Sequence, residues 1–126
     1  MNPAVARGNK GAADGLVNAE RLFERTTDVV KPSPAQLWVF VDEHPDSIND
    51  GAFFNAQGSR EWIDLPANYH NNAGGFAFAD GHSEIHRWRG SVTRRPVQIN
   101  DFARTVFPVG DPDFAWIIER TSAPRQ

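Results

Sequence analysis

The sequence predicts an α+β fold in a single domain, with a short helix towards each end and an antiparallel β-sheet of about four strands between them. Three observations support this prediction. A continuous apolar run begins at residue 37, an Asp-Gly pair at residues 80–81 separates two strand-like runs, and apolar residues follow helical spacing near both termini. The length of 126 residues suits one domain, in which residues 15–121 form the folded core.

The N-terminal part begins with a segment rich in Ala, Gly and Asn, residues 1–14, which predicts a flexible stretch. Residues 16–25 predict a short helix that Asp14 can cap. Its apolar residues fall on one face, and these are Leu16, Ala19, Leu22 and Phe23. The Lys-Pro-Ser-Pro sequence at residues 31–34 then breaks regular structure.

Residues 37–41, Leu-Trp-Val-Phe-Val, predict a strand that is buried on both faces, because the run is apolar throughout. Residues 51–56 predict a second strand, and residues 61–65 a short third one that ends at a proline. Residues 111–120 predict a C-terminal helix with Pro112 in its first turn and acidic residues at its start. We expect the tail, residues 122–126, to fray.

The central hairpin is the strongest local signal. Asp-Gly at residues 80–81 is typical of a two-residue turn, because both positions of that turn require a positive φ. Such a turn places Ala79 opposite His82 and Ala77 opposite Glu84. One face of the hairpin is then apolar and buried, with Phe76, Phe78 and Ile85. The other face carries His82, Glu84, His86 and Trp88 against small residues.

Several stretches in order suggest a family. His70 is followed after nine residues by Asp80-Gly81, and three further segments accompany this spacing: residues 40–51, residues 78–88 and residues 115–121. In these features the chain, from about residue 35 to residue 121, resembles the prepilin-type processing-associated H-X9-DG proteins. The resemblance implies a pilin-like layout, in which a long N-terminal helix anchors and assembles the protein and an antiparallel sheet forms the head.

We expect the chain to correspond to that head, with the anchoring helix absent. The resemblance also implies an extracytoplasmic location, secreted or at the cell surface. The expected partners are a second copy of the chain, a polysaccharide or another cell-surface component. The favoured function is therefore a non-catalytic head domain with a binding or structural role.

A metal site is the sharpest chemical alternative. His82, Glu84 and His86 alternate along one strand, so their side chains point to the same face and could hold Zn²⁺, Cu²⁺ or Fe²⁺. A fourth ligand could come from His70 or from the cluster Asp42-Glu43-His44. The simpler interpretation is a solvated face whose acidic and imidazole groups pair with Arg87 or Arg89.

The loop that follows residue 41 offers oxygen ligands suited to Ca²⁺, although it departs from the EF-hand pattern at Ile48. These ligands are Asp42, Glu43, Asp46, Asn49 and Asp50. The alternative is turn capping, in which Asp46, Ser47 and Asn49 bond to nearby backbone amides. His70 and Asp80 have structural alternatives as well. Asp80 is explained by the turn, and the ring nitrogens of His70 could bond to the backbone around Asn71 or Asn72.

Paired carboxylates suggest a catalytic alternative. Glycosidases use two carboxyl groups, one with a raised pKa, and Asp42 or Glu43 could pair with Asp80 or Glu84. Aromatic side chains that could stack on sugar rings are Trp38, Trp62, Trp88 and Tyr69. The rival to the binding head is thus a metal-dependent hydrolase or oxidoreductase acting on a polysaccharide through the His82, Glu84 and His86 face.

Composition limits the remaining classes. The formal net charge is −3, and basic residues are scattered apart from Arg87, Arg89, Arg94 and Arg95, so nucleic acid is not an expected partner. The chain has no cysteine, which excludes disulfides and thiolate metal sites. No apolar run reaches the roughly 20 residues of a membrane span.

Overall fold

The structure is a computed structural model that describes residues 1–2, 23–99 and 105–123. It confirms the predicted α+β class with a short C-terminal helix. Within the described residues the elements are a 3-10 helix (Thr26–Asp28), β1 (Trp38–Val41), β2 (Glu61–Trp62), β3 (Ala73–Phe78), β4 (Ser83–Arg87), β5 (Thr105–Val106) and α1 (Pro112–Glu119). The predicted N-terminal helix lies outside the described residues, except for its last three positions, which are not helical.

Two small antiparallel sheets organise these strands. β1, β3 and β4 form a sheet in that order, so β3 is central, while β2 pairs with β5. α1 begins where predicted, because the Asp111 carboxylate accepts hydrogen bonds from the backbone N–H groups of Asp113 and Phe114. Pro112 occupies the first turn, where its missing N–H costs nothing.

Two of the strand predictions were wrong in extent or environment. Residues 51–56 form no strand, because the backbone there bonds elsewhere: the N–H of Phe53 to the carbonyl of Met1, and the N–H of Phe54 to the Asp64 carboxylate. β1 is not buried on both faces. An irregularity between Trp38 and Phe40 places Trp38 opposite Phe78 but Phe40 opposite Ala77, so the two side chains lie on different faces, and Phe40 is 53 % exposed while Trp38 is fully buried. One face of the sheet is therefore open at Phe40.

The hairpin register also differs from the prediction by one residue. The loop has three residues, Ala79 to Gly81, because the N–H of Phe78 bonds to the carbonyl of His82. Gly81 alone takes a positive φ, 93°, and its N–H closes the turn onto the carbonyl of Phe78. A three-residue loop that ends in a left-handed glycine needs only one residue in that strained region, whereas the two-residue turn needs two.

This shift exchanges the faces of β4 relative to β3. Ile85 now lies opposite Gly75 and is 60 % exposed, so its predicted burial was wrong. Glu84 lies opposite Phe76, and Trp88 is buried in the core beside that phenylalanine. The imidazole side chains of the hairpin therefore lie on the same face of the sheet as the core aromatic residues. The prediction that these two groups of side chains lie on opposite faces was also wrong.

The main core lies between the inner face of the three-stranded sheet, the β2–β5 pair and α1. Its members are Trp38, Phe53, Trp62, Leu65, Phe76, Phe78, Trp88, Phe107, Phe114 and Ile117. Edge-to-face contacts dominate, such as Trp62 with Phe114 at 5.0 Å between ring centres. The Trp38 indole N–H lies within hydrogen-bonding distance of the Thr121 hydroxyl and of the carbonyl of Ile117, which ties β1 to the end of α1.

The described residues at the two ends of the chain are held in place. Asn2 is fully buried, and its amide donates to the carbonyls of Trp38 and Thr121. Ser122 and Ala123 are buried as well. The rest of the predicted flexible segment and tail, residues 3–14 and 124–126, lies outside the described residues.

Gly74 on β3 gives a test of this packing. A Cβ at Gly74 would lie 2.7 Å from the backbone carbonyl of Ala67 and 3.1 Å from the Trp88 ring. Because neither group can move freely, we expect Gly74→Ala to lower the free energy of unfolding by about 1–3 kcal/mol, as overpacking of a core does. Denaturant titration followed by tryptophan fluorescence measures the change.

Gly75→Ala is the matched control. Its Cβ would meet mainly a carboxylate oxygen of Asp42, an exposed side chain that can rotate away. We expect a smaller loss of stability than for Gly74→Ala. Equal losses at the two positions would contradict the inner-face packing described above.

Candidate functional site

A cleft of about 750 Å³ opens where the end of β4 meets the start of α1. We call it the cationic cleft, and its walls carry His86, Arg87, Trp88, Arg89, Arg94 and Trp116. Pro112 and Asp113, at the start of α1, complete the lining. The cleft therefore joins the sheet to the helix and collects three guanidinium groups from one short stretch of chain.

Asp113 builds the floor of the cleft. Its buried carboxylate accepts hydrogen bonds from the backbone N–H groups of Arg89 and Gly90 and from the hydroxyl of Thr93. Gly90 fits against it closely, since a Cβ there would lie 3.0 Å from a carboxylate oxygen. The loop after β4 is thereby fixed to the first turn of α1, and the negative charge of Asp113 is satisfied by donors inside the protein.

The three arginines of the cleft face outward. Arg87, Arg89 and Arg94 are all exposed. Arg94 donates through Nε to the carbonyl of Gly90, and among the described residues none of the three forms an ion pair. A guanidinium presents several N–H donors in a planar fork that suits carboxylate, sulfate or phosphate oxygens.

An aromatic pair forms one wall. The His86 ring stacks on Trp116 with 3.8 Å between ring centres and 18° between planes. The Arg120 guanidinium lies 4.5 Å from the centre of the same indole. Burial lowers the pKa of His86, even though Asp113 and Glu84 act in the opposite direction, so the imidazole is neutral at neutral pH. The positive charge of the cleft at that pH therefore comes from the arginines.

A second, acidic environment surrounds Glu43. Burial raises the pKa of this carboxyl to about 7, with a further increase from the nearby charge of Asp64 and a smaller one from Asp50. The Ser47 hydroxyl lies 3.1 Å from Glu43 Oε1 and acts in the opposite direction. The Tyr69 hydroxyl donates to the backbone carbonyl of Glu43. Glu43 thus exchanges a proton near neutral pH.

The acids that raise the pKa of Glu43 are Asp64 and Asp50, and not the predicted partners Asp80 and Glu84. Asp80 lies at the hairpin loop, where its N–H bonds to the carbonyl of Pro34 ahead of β1, whereas Glu43 follows the end of β1. Asp80 accepts from the backbone N–H and the ring of His82, and these hydrogen bonds lower its pKa. Among neighbouring acids, Asp64 raises the pKa of Glu43 most. The sequence analysis missed this pair because the segments around residues 43 and 65 come together only in the tertiary structure, as at the Glu43–Pro66 bridge.

The predicted metal ligands separate into several places. His82 Nε2 lies 3.9 Å from Glu84 Oε2, whereas His86 is stacked on Trp116. The His82 ring in turn stacks on Phe78, with 4.4 Å between ring centres. Within residues 1–2, 23–99 and 105–123, no group of three or more His, Asp or Glu side chains is arranged to hold a metal ion.

The remaining predicted ligands have other roles. His70 Nε2 lies 3.9 Å from a carboxylate oxygen of Asp42 in an exposed pair. His44 is fully buried, and its ring nitrogens face the N–H of Asp46 and the carbonyl of Arg95. Because Nδ1 accepts from an N–H and Nε2 faces a carbonyl, Nε2 carries the proton and both nitrogens are engaged.

Asp46 bonds to backbone N–H groups, but these are distant in sequence and are not the nearby amides that the capping alternative predicts. Its carboxylate accepts from the N–H groups of Gln98 and Ile99, which lie more than fifty residues along the chain. Asp50 accepts from the N–H of Ala52. Asp46 thus fixes its loop to the backbone at residues 98–99, whereas Asp50 bonds within its own turn.

The predicted sugar-stacking surface is largely internal. Trp38 and Trp62 are fully buried and Trp88 is 2 % exposed, so none of them offers a ring face to a ligand. Sequence reasoning missed the roles of Arg94, Asp113 and Trp116. The only signal in the sequence was the local concentration of arginines at residues 87–95.

Comparison with known proteins assigns no family. No protein-family model matches the chain, no curated protein matches its sequence, and no solved structure matches its fold. Of the helices within the described residues, none has both the length and the apolar character needed to cross a membrane.

Glu43 yields a pH prediction. Its folded-state pKa of about 7 lies above the ordinary value of 4.5, so the folded protein holds a proton that the unfolded chain releases between these values. The free energy of unfolding should therefore decrease as pH rises from 4.5 to 7 on account of this group. We expect Glu43→Gln to flatten that part of the stability profile, as measured by thermal or denaturant unfolding across pH.

Glu84→Gln, which alters an exposed carboxylate on β4, serves as the control and should keep the wild-type slope. If Glu43→Gln leaves the slope between pH 4.5 and 7 unchanged, Glu43 does not have the raised pKa described here.

Proposed function

We propose that this protein is the head domain of a pilin-like extracytoplasmic protein and that it binds an anionic polysaccharide through the cationic cleft. The observation that supports this most strongly is the set of three exposed guanidinium groups, Arg87, Arg89 and Arg94, around a cleft whose own carboxylate is already satisfied. The proposed role is ligand binding, which is also the role that the sequence favours, and the cationic cleft is the proposed binding surface.

The charge arrangement favours a ligand with several anionic groups. Asp113 accepts hydrogen bonds from the backbone of the loop after β4, and among the described residues it forms no direct ion pair with the arginines. Three guanidiniums spaced along the cleft match carboxylate or sulfate groups that repeat along a polymer. A volume of about 750 Å³ is large enough for a short run of sugar residues.

The burial of the tryptophan rings also favours a ligand that is recognised through its charge. Three tryptophans are buried in the core and the fourth stacks on His86, so the tryptophans offer a neutral glycan few ring faces. The exposed rings of Phe40 and Tyr69 lie outside the lining of the cleft. The net charge of −3 argues against nucleic acid, because three clustered arginines in an acidic chain form a smaller basic surface than a nucleic-acid-binding protein usually presents.

The pilin-like part of the proposal rests on the resemblance of the sequence and on the architecture. An antiparallel sheet contains the hairpin with Asp80-Gly81, and α1 packs behind it. An extracytoplasmic polysaccharide is a partner that such a head would meet.

The cleft can be tested by removing its charge. We expect the variant with Arg87→Gln, Arg89→Gln and Arg94→Gln to lose most of its affinity for polygalacturonate and dextran sulfate. Loss of even one charge-assisted contact raises the dissociation constant about tenfold, which corresponds to ~1.4 kcal/mol. Titration by calorimetry at two salt concentrations measures the affinity, which should fall as salt rises.

Arg60→Gln, an exposed arginine outside the cleft lining, is the matched control and should bind as the wild type does. Unmodified dextran should bind neither protein, because it has the same backbone as dextran sulfate without the charge. Equal binding of duplex DNA, or no loss in the triple variant, would contradict a polysaccharide site in this cleft.

The metal-dependent enzyme remains a separate candidate, favoured by the 3.9 Å approach of His82 Nε2 to Glu84 Oε2. If that enzyme exists, protein purified without a histidine tag should contain about one equivalent of Zn, Cu or Fe by elemental analysis, and His82→Ala should remove it. Protein that neither contains nor retains such a metal after reconstitution, while still binding polyanions, would leave only the binding role.

A further inference from the structure

β4 lies at the end of the three-stranded sheet, and no strand among the described residues pairs with its outer backbone edge. The sheet order is β1-β3-β4, so only one side of β4 is paired. The N–H of Phe78 bonds to the carbonyl of His82, and the N–H of Trp88 bonds to the carbonyl of Asn72. Since antiparallel pairing alternates, Glu84 and His86 also bond towards β3, and the backbone groups of Ser83, Ile85 and Arg87 point to the free edge.

We propose that a second copy of this chain pairs with that edge, β4 against β4, in an antiparallel dimer with twofold symmetry. Among the described residues, none forms a hydrogen bond with the outward backbone groups of Ser83, Ile85 and Arg87. An exposed strand edge of this kind is a template for strand addition. With twofold symmetry, both copies use the same edge of β4, and the outward backbone groups of each copy find partners in the other.

The register follows from the length of the strand. Only the odd-numbered residues have outward backbone groups, so they must pair with each other across the axis. Centring the axis on Ile85 places Ser83 opposite Arg87 of the second copy and forms three hydrogen-bonded pairs, whereas any other register forms fewer.

Side-chain chemistry agrees with this register. The two Ile85 side chains, each 60 % exposed in the single chain, would lie side by side and exclude water. Glu84 would lie opposite His86 of the second copy, whose neutral imidazole can donate to the carboxylate. The two Arg87 side chains would stay roughly 13 Å apart, which limits their repulsion.

Pairing would create one continuous sheet of six strands. Directly opposite residues share a face, so both cationic clefts would open on the same side of that sheet. A single polyanionic chain could then contact two clefts, which raises apparent affinity through effective concentration. This consequence rests on the proposed function, whereas the dimer itself does not.

Sedimentation velocity of the full chain at increasing concentration tests the dimer without any ligand. We expect a reversible shift from the 14.0 kDa mass of one chain towards twice that mass. Ile85→Pro should abolish the shift, because proline removes an outward N–H and clashes with the approaching strand but breaks no bond to β3. Ile85→Thr, which keeps the N–H, is the matched control and should still dimerise.

A charge pair gives an independent test if the proline variant does not fold by circular dichroism. Ser83→Arg places like charges opposite each other and should weaken the dimer at least tenfold. Adding Arg87→Asp should restore it, because each pair then has opposite charges. A monomer at every concentration would overturn the proposal, as would a dimer unaffected by both Ile85→Pro and Ser83→Arg.

Discussion

The turn at residues 79–81 controls the chemistry of the whole sheet. Because Gly81 takes the left-handed conformation and Ala79 and Asp80 do not, the loop holds three residues instead of two. That one extra residue turns Trp88 into the core and Ile85 out to solvent. It also brings the His86 ring onto Trp116, which shapes the wall of the cleft.

A second constraint is the buried carboxylate of Asp113. By accepting from two consecutive backbone N–H groups and a hydroxyl, it fixes the loop after β4 onto α1. The arginines before and within that loop are then presented around one cleft. An acid at the floor of a basic cleft is consistent with anion binding here because protein donors already satisfy its charge.

The two polar regions of the molecule have different characters. Around Glu43, burial and a neighbouring acid favour the protonated carboxyl. At the cleft, three exposed guanidinium groups lie around a carboxylate whose hydrogen bonds are made within the protein. Proton exchange near pH 7 therefore belongs to the Glu43 region.

By itself the sequence determined the elements that depend on local chemistry: the β1 strand, the position of the hairpin and the capped start of α1 at Asp111. These follow from apolar runs, turn residues and caps that lie within a few positions of each other. Only the tertiary structure decided which face of β4 is buried, because a two-residue and a three-residue loop are both compatible with Asp-Gly. Asp113 meeting Gly90, and Glu43 meeting Asp64, depend on packing between distant segments, which local patterns do not encode.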